Sequence, residues 1–179
     1  MTLDKKITPY KDSTLNKKEQ VEKMFDTISE NYDGLNRIIS FGTDIKWRKK
    51  VLATIIEHHP ESILDIATGT GDLAIKFAEK TSATKIIGLD LSEGMLSIAR
   101  KKVADTELKY IIEFIKGDSE ALPFNNNMFD AITVSFGIRN FENLEKGLSE
   151  ILRVIKPNGL FIILETSIPT SFIFKQGYK

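Results

Sequence analysis

The chain has 179 residues, 41% hydrophobic and 28% charged, which is the composition of one soluble globular domain large enough for a substantial core. Its 25 Lys and Arg balance 25 Asp and Glu, so no basic excess points to nucleic acid. It holds no cysteine, and its two histidines, His58 and His59, are adjacent, which excludes disulfides, thiolate metal sites, a cysteine nucleophile and a histidine-based triad and fits a reducing, cytoplasmic setting.

Residues 1 to 13 are polar and lysine-rich and read as a flexible tail. Residues 14 to 60 read as a helical cap or lid. From about Leu15 a helical period sets Val21, Met24, Phe25, Ile28 and Tyr32 on one face, with lysines and glutamates on the other. Packing on the domain and closing over a ligand are both open for this helix, and its lysines also leave a membrane-surface contact open. Residues 31 to 48 mix aromatics, amides and acids without a clear period, and a second helix runs from about Trp47 to Glu57 ahead of Pro60.

From residue 61 the pattern changes to alternating strands and helices. Ile63 to Ile66 is a buried strand carrying Asp65, followed by the turn Gly69-Thr70-Gly71 and a helix from Asp72 to Lys80. The Gly-x-Gly-x-x-Ala spelling ending at Ala74 is a nucleotide-binding form. A pyrophosphate would need bare N–H groups at the helix N-terminus, whereas Asp65 and Asp72 place carboxylates there. They suit a ligand bearing an ammonium and a sulfonium, which describes S-adenosylmethionine. Asp72 is equally an ordinary N-terminal helix acid.

Lys85 to Asp90 is a second strand whose terminal acid lies 19 residues beyond Gly71, the place from which a carboxylate accepts both ribose hydroxyls. A helix follows Ser92. The third strand, Ile111 to Asp118, again ends in an acid, here one that can accept an adenine amino group while a neighbouring N–H meets a ring nitrogen. Phe129 to Ser135 is the fourth strand. Asn143 to Ile155 reads as a helix with Leu144, Leu148, Ile151, Leu152 and Ile155 inward, Lys156 to Gly159 as a turn, and Leu160 to Glu165 as a fifth buried strand. Three acids would then line one edge of an open α/β sheet, the edge where such sheets bind ligands.

The order Asp65-x-x-x-Gly69-x-Gly71, Asp90, Asp118, Phe129-Asp130 and Leu152 to Gly159 resembles the class I S-adenosylmethionine-dependent methyltransferases. Tyr32-Asp33-x-x-Asn36, Ser40, Trp47-Arg48, the loop Phe136-Gly137-Ile138-Arg139-Asn140, and Arg153 to Gly159 followed by Leu164-Glu165-Thr166-Ser167 resemble one branch, the ubiquinone/menaquinone biosynthesis C-methyltransferases. The resemblance implies a Rossmann-like, doubly wound α/β sheet over residues 61 to 179, with five parallel strands here. The family's antiparallel C-terminal hairpin would fall beyond residue 179, so the chain reads as C-terminally truncated. Where the family commonly carries a histidine between the serine and the tryptophan, Asp44 stands nearby.

The resemblance further implies S-adenosylmethionine as methyl donor and a prenylated quinol as acceptor, either demethylmenaquinol or a 2-polyprenyl-6-methoxy-1,4-benzoquinol. The cofactor contacts would be Asp65, Gly69, Thr70, Gly71, Asp90, Asp118, Ser119 and Ser135, with no metal. Asp33, Asp44 and Arg139 are the candidates for the quinol end. Phe41, Phe136, Ile138 and Phe141 are expected to form an apolar wall for the ring. Two other readings stay open: a nicotinamide-dependent oxidoreductase, from the glycine spelling and Asp90, and a non-catalytic cofactor-binding fragment.

Overall fold

The computed structural model describes residues 9–10, 13–32, 34 and 43–166. Helix α1, Lys17–Ile28, starts at Asn16, whose side chain accepts from Glu19 N–H while the Glu19 carboxylate accepts from the Asn16 backbone N–H. This capping box satisfies two donors that would otherwise face solvent alone. Helix α2 spans Thr43–His58, and β1, Ser62–Ile66, follows. Then come α3 (Asp72–Lys80), β2 (Lys85–Asp90), α4 (Glu93–Val103), β3 (Ile112–Lys116), β4 (Phe129–Ser135), α5 (Leu144–Val154) and β5 (Ile155–Leu164).

These strands form a five-stranded sheet in the order β3-β2-β1-β4-β5, with every neighbouring pair parallel. The chain winds outward from β1 through β2 to β3, then returns to the other side of β1 for β4 and β5. The direction of winding therefore reverses between β1 and β4, which opens a crevice at the carboxyl ends of those strands.

Side-chain alternation divides the core in two. Ile63, Ile86, Phe114 and Ala131 pack with Val51 and Ile55 of α2, Phe77 of α3 and Leu96 of α4. Leu64, Ile66, Leu89, Ile132 and Val134 face the other way, against Ile151 and Val154 of α5. The expected apolar face of α5 is only partly right. Ile151 is 2% exposed, whereas Leu144 is 48% and Leu152 75% exposed. The reason is local: Gly147 is buried against the Phe141 ring, where an added Cβ would lie 2.4 Å from a ring carbon. This close approach turns the stripe Gly147, Ile151, Val154 inward and leaves Leu144 and Leu152 outside it.

The turn expected at Lys156 to Gly159 is a bulge inside a longer strand. Phe129 pairs with Ile155 and Ala131 with Leu160, so the residues between are looped out of the ladder, with Asn158 at a φ of 64°. Pro157, which cannot donate to a ladder, sits in that loop. Lys156 donates from there to Asp130 at 2.7 Å. Although burial works the other way, Lys156 and the Ser62 hydroxyl and N–H hold the Asp130 carboxyl down to about 2. Asp130 thus ties β4 to the start of β1 at the end of the sheet far from the crevice.

Candidate active site

The loop after β1 is where the sequence forces the backbone into unusual conformations. Gly71 caps α3 at a φ of 79°, and a Cβ there would stand 2.7 Å from the Phe114 ring. Ala67 is left-handed at 55° without being glycine, and so is Phe136, at 58°, just past the neighbouring strand β4. Gly137 permits these two loops to touch, since a Cβ on it would come within 2.3 Å of the Ala67 Cβ. Strained non-glycine residues on both sides of the crevice are costly, and such strain concentrates where a ligand is handled.

A cavity open to solvent lies over these strand ends, the place where open α/β sheets bind ligands. Its floor is Ile66, Ala67 and Gly69 after β1, Leu89 and Asp90 of β2, Gly117 to Ser119 after β3, and Ser135 to Gly137 at β4. Its roof is Lys18, Val21 and Phe25 of α1, with Tyr32 beyond it. Asn140, Phe141 and Glu142 close the side below β4.

Asp90 lines this cavity with its carboxylate oriented by backbone: Gly69 N–H donates to it at 2.8 Å and Ser92 N–H at 2.9 Å. Burial raises its pKa above the ordinary value despite these two donors. Asp118 also faces the cavity; it accepts from Glu120 N–H at 2.9 Å and pairs with Lys18 of α1. Ser119 is buried beside it. The Ser135 hydroxyl oxygen is buried at the end of β4 with no hydrogen-bond partner among the described residues. An unpaired buried hydroxyl is costly, and this one lies in the cavity wall.

Asp65 does not line the cavity. By strand alternation it shares the face of Ile63, where its buried carboxylate accepts from Thr133 Oγ1 at 2.5 Å and Thr68 Oγ1 at 2.7 Å. Burial pushes its pKa up to about 6, against the pull of those hydroxyls and of Arg48. Asp65 therefore braces the glycine loop from beneath. Thr70 and Gly71 lie on that outer side as well: Lys102 donates to Thr70 Oγ1 at 3.0 Å and to Asp72 at 2.7 Å, and Arg48 lies 3.5 Å from Asp72. Asp72 thus has two cationic neighbours and is a helix-start acid.

Of the residues expected at the quinol end, Asp33 lies outside the described residues, and Asp44 falls in α2 at a position whose side chain is not described. Arg139 is half-exposed and pairs with Glu165 after β5; it does not line the cavity. From the expected aromatic wall, Phe136 and Phe141 do line it, and Trp47 packs on the far side of Phe136 with ring centroids 6.1 Å apart. Ile138 packs against the α5 core, and Phe41 lies outside the described residues. Sequence reasoning missed Lys18, Met95, Glu120 and Asn140 as lining residues. Glu120, a buried acid in the loop after β3, accepts from the N–H groups of Glu142 and Asn143 and so ties the α5 entry to that loop.

The model of the ubiE/COQ5 methyltransferase family matches residues 13–179. The chain belongs to that family. It is 47% identical over 173 residues to a demethylmenaquinone methyltransferase from Bacteroides fragilis, an alignment covering 97% of this chain and 70% of that one. It is 43% identical over 177 residues to a ubiquinone/menaquinone biosynthesis C-methyltransferase from Geobacter sulfurreducens, covering 98% and 68% of the two chains. Among solved structures it resembles a SAM-dependent methyltransferase from Aquifex aeolicus, with a TM-score of 0.60 at 26% identity over 70% of this chain and 66% of that one. The YcgJ protein of Bacillus subtilis shares the fold, with a TM-score of 0.64 at 24% identity over 73% and 55% of the two chains.

The family makes this chain an enzyme of methyl transfer with a Rossmann-like parallel sheet. Among the described residues no helix is long and apolar enough to cross a membrane, and no cluster of acids and histidines could hold a metal ion.

Proposed function

We propose that this chain transfers the methyl group of S-adenosylmethionine to a ring carbon of demethylmenaquinol. The observation that carries the reading is the pair Asp90 and Asp118, set on adjacent strand ends in one cavity over the switch point of a methyltransferase-family sheet. When bound, S-adenosylmethionine supplies an electrophilic methyl on a good leaving group. Asp90 accepts the two ribose hydroxyls, its own orientation held by Gly69 and Ser92 N–H. Asp118 accepts the adenine amino group and Ser119 N–H meets the ring. The unpaired Ser135 hydroxyl, across the crevice from both acids, supplies a hydrogen bond to the amino-acid end of the cofactor.

Orientation and proton removal are then what the protein contributes. Phe136 and Phe141 offer the faces on which a quinol ring stacks. Because Arg139 is engaged by Glu165 away from the cavity, Asp33 and Asp44 are the proposed acceptors of the quinol proton. Asn140 is the one amide lining the cavity among the described residues. A wall this apolar discriminates modestly between ring analogues, so the methoxy-benzoquinol is a tolerated substrate.

Two measurements test this. The chain is titrated calorimetrically with S-adenosylhomocysteine and with NADH; binding of the first alone is expected, and binding of NADH alone would replace the reading with the oxidoreductase one. Methyl transfer is then assayed with both quinols under reducing conditions. Demethylmenaquinol is the expected better substrate, and a strong benzoquinol preference would overturn that choice.

A further inference from the structure

Helix α1 carries a polar stripe that the reaction does not explain. Lys18, Glu22 and Asp26 stand four residues apart, so they share one face. Each reaches a different point along the carboxyl edge of the sheet. Lys18 pairs with Asp118 beyond β3. Glu22 pairs with Lys116, the last residue of β3, at 2.7 Å. Asp26 accepts from the Ser92 hydroxyl at 2.5 Å and from Gly94 N–H at 3.0 Å, so an acid of α1 caps the N-terminus of α4. Ser92 in turn donates its N–H to Asp90. Gly94 permits this approach, since a Cβ there would lie 3.1 Å from the Asp26 carboxylate.

The same helix turns Val21 and Phe25 into the cavity. One face of α1 therefore covers the ligand space while its neighbour holds the two loops that carry the nucleoside-binding acids.

We propose that Lys18, Glu22 and Asp26 are positioning residues that latch α1 over the cavity, so that lid closure and cofactor binding stabilise each other. The inference rests on the assignment of Asp90 and Asp118 to the nucleoside. Lys18 sets Asp118 directly, and Asp26 sets Asp90 through Ser92. Glu22 and Lys116 do not line the cavity, so this pair reports on the latch without touching ligand. Binding linkage requires the effect to run both ways: a weakened latch lowers cofactor affinity, and bound cofactor protects the helix.

The test is a charge swap on the whole chain. Glu22→Lys and Lys116→Glu each place like charges across the latch and are expected to weaken S-adenosylhomocysteine binding about fivefold. The double variant, with the pair reversed, is expected to restore it. Circular dichroism confirms that each variant is folded. In the wild type, saturating S-adenosylhomocysteine is expected to slow tryptic cleavage at Lys17, Lys18 and Lys23. Single variants that bind like the wild type, a double variant that stays as weak as the singles, or cleavage indifferent to the ligand would each overturn the coupling. Failure of the wild type to bind S-adenosylhomocysteine at all would instead overturn the cofactor reading beneath it.

Discussion

Two buried carboxylates at neighbouring strand ends, Asp65 and Asp90, have different surroundings and do different work. Asp90 keeps a face on the cavity while two backbone N–H groups orient it, whereas Asp65 spends both oxygens on threonine hydroxyls under the loop. Replacing Asp90 by alanine is expected to weaken S-adenosylhomocysteine binding tenfold or more, since each charge-assisted hydrogen bond contributes roughly 1.5–3 kcal/mol. Calorimetry on the folded variant checks this, and unchanged affinity would move the ribose contact elsewhere. The cavity positions of Asp90 and Asp118 were legible from the sequence because each comes at the carboxyl end of a parallel strand, where open α/β sheets place their ligand edge. Asp65, expected among the cofactor contacts, faces away from the cavity for a reason also visible in the sequence. It lies two residues from Ile63, with one more strand residue after it, so alternation sends it to the face of the α2 core.

At the scale of elements, strands β2 and β4 and the Asp72–Lys80 helix match their sequence limits because apolar runs and a glycine turn leave little choice. Helix α5 shows where pattern reading fails. Its Leu-rich sequence has two apolar stripes one residue apart, and only the contact of Gly147 with Phe141 decides between them. Ile151→Ala should therefore cost about 2–5 kcal/mol of stability, as expected for a buried large-to-small change. Leu152→Lys should fall within about 0.5 kcal/mol of the wild type, as most surface changes do. Urea unfolding of both variants discriminates the stripes, and a larger loss at Leu152 than at Ile151 would reverse the assigned face. The latch on α1 was illegible for a related reason. Its spacing of four residues is readable, but its partners lie at or just beyond strand ends up to about a hundred positions away, and helix periodicity says nothing of such distant contacts.

For the whole molecule, stability against pH depends on acids shifted in opposite directions. Asp130 has its pKa held at about 2, below the ordinary 3.8, so its contribution is present above pH 3.8 and is lost as pH falls through 2. Asp65 acts with the other sign. Burial raises its pKa to about 6, so between pH 3.8 and 6 the folded chain binds more protons than the unfolded one. Stability therefore falls as pH rises through that window, and the full penalty stands above pH 6. The interval corresponds to a penalty on the order of 2–3 kcal/mol. The fold accepts that penalty because the same carboxylate joins β1, β4 and the glycine loop through Thr133 and Thr68. Asp65→Asn cannot ionise, yet its amide can still bond both hydroxyls. Relative to the wild type, it should gain more stability at pH 7 than at pH 4, by an amount of that order. Urea midpoints of the two proteins at both pH values measure the difference. An offset that is the same at pH 4 and pH 7 would show that Asp65 ionises in the folded chain as it does in the unfolded one, with the Thr133 and Thr68 hydroxyls and Arg48 together offsetting its burial.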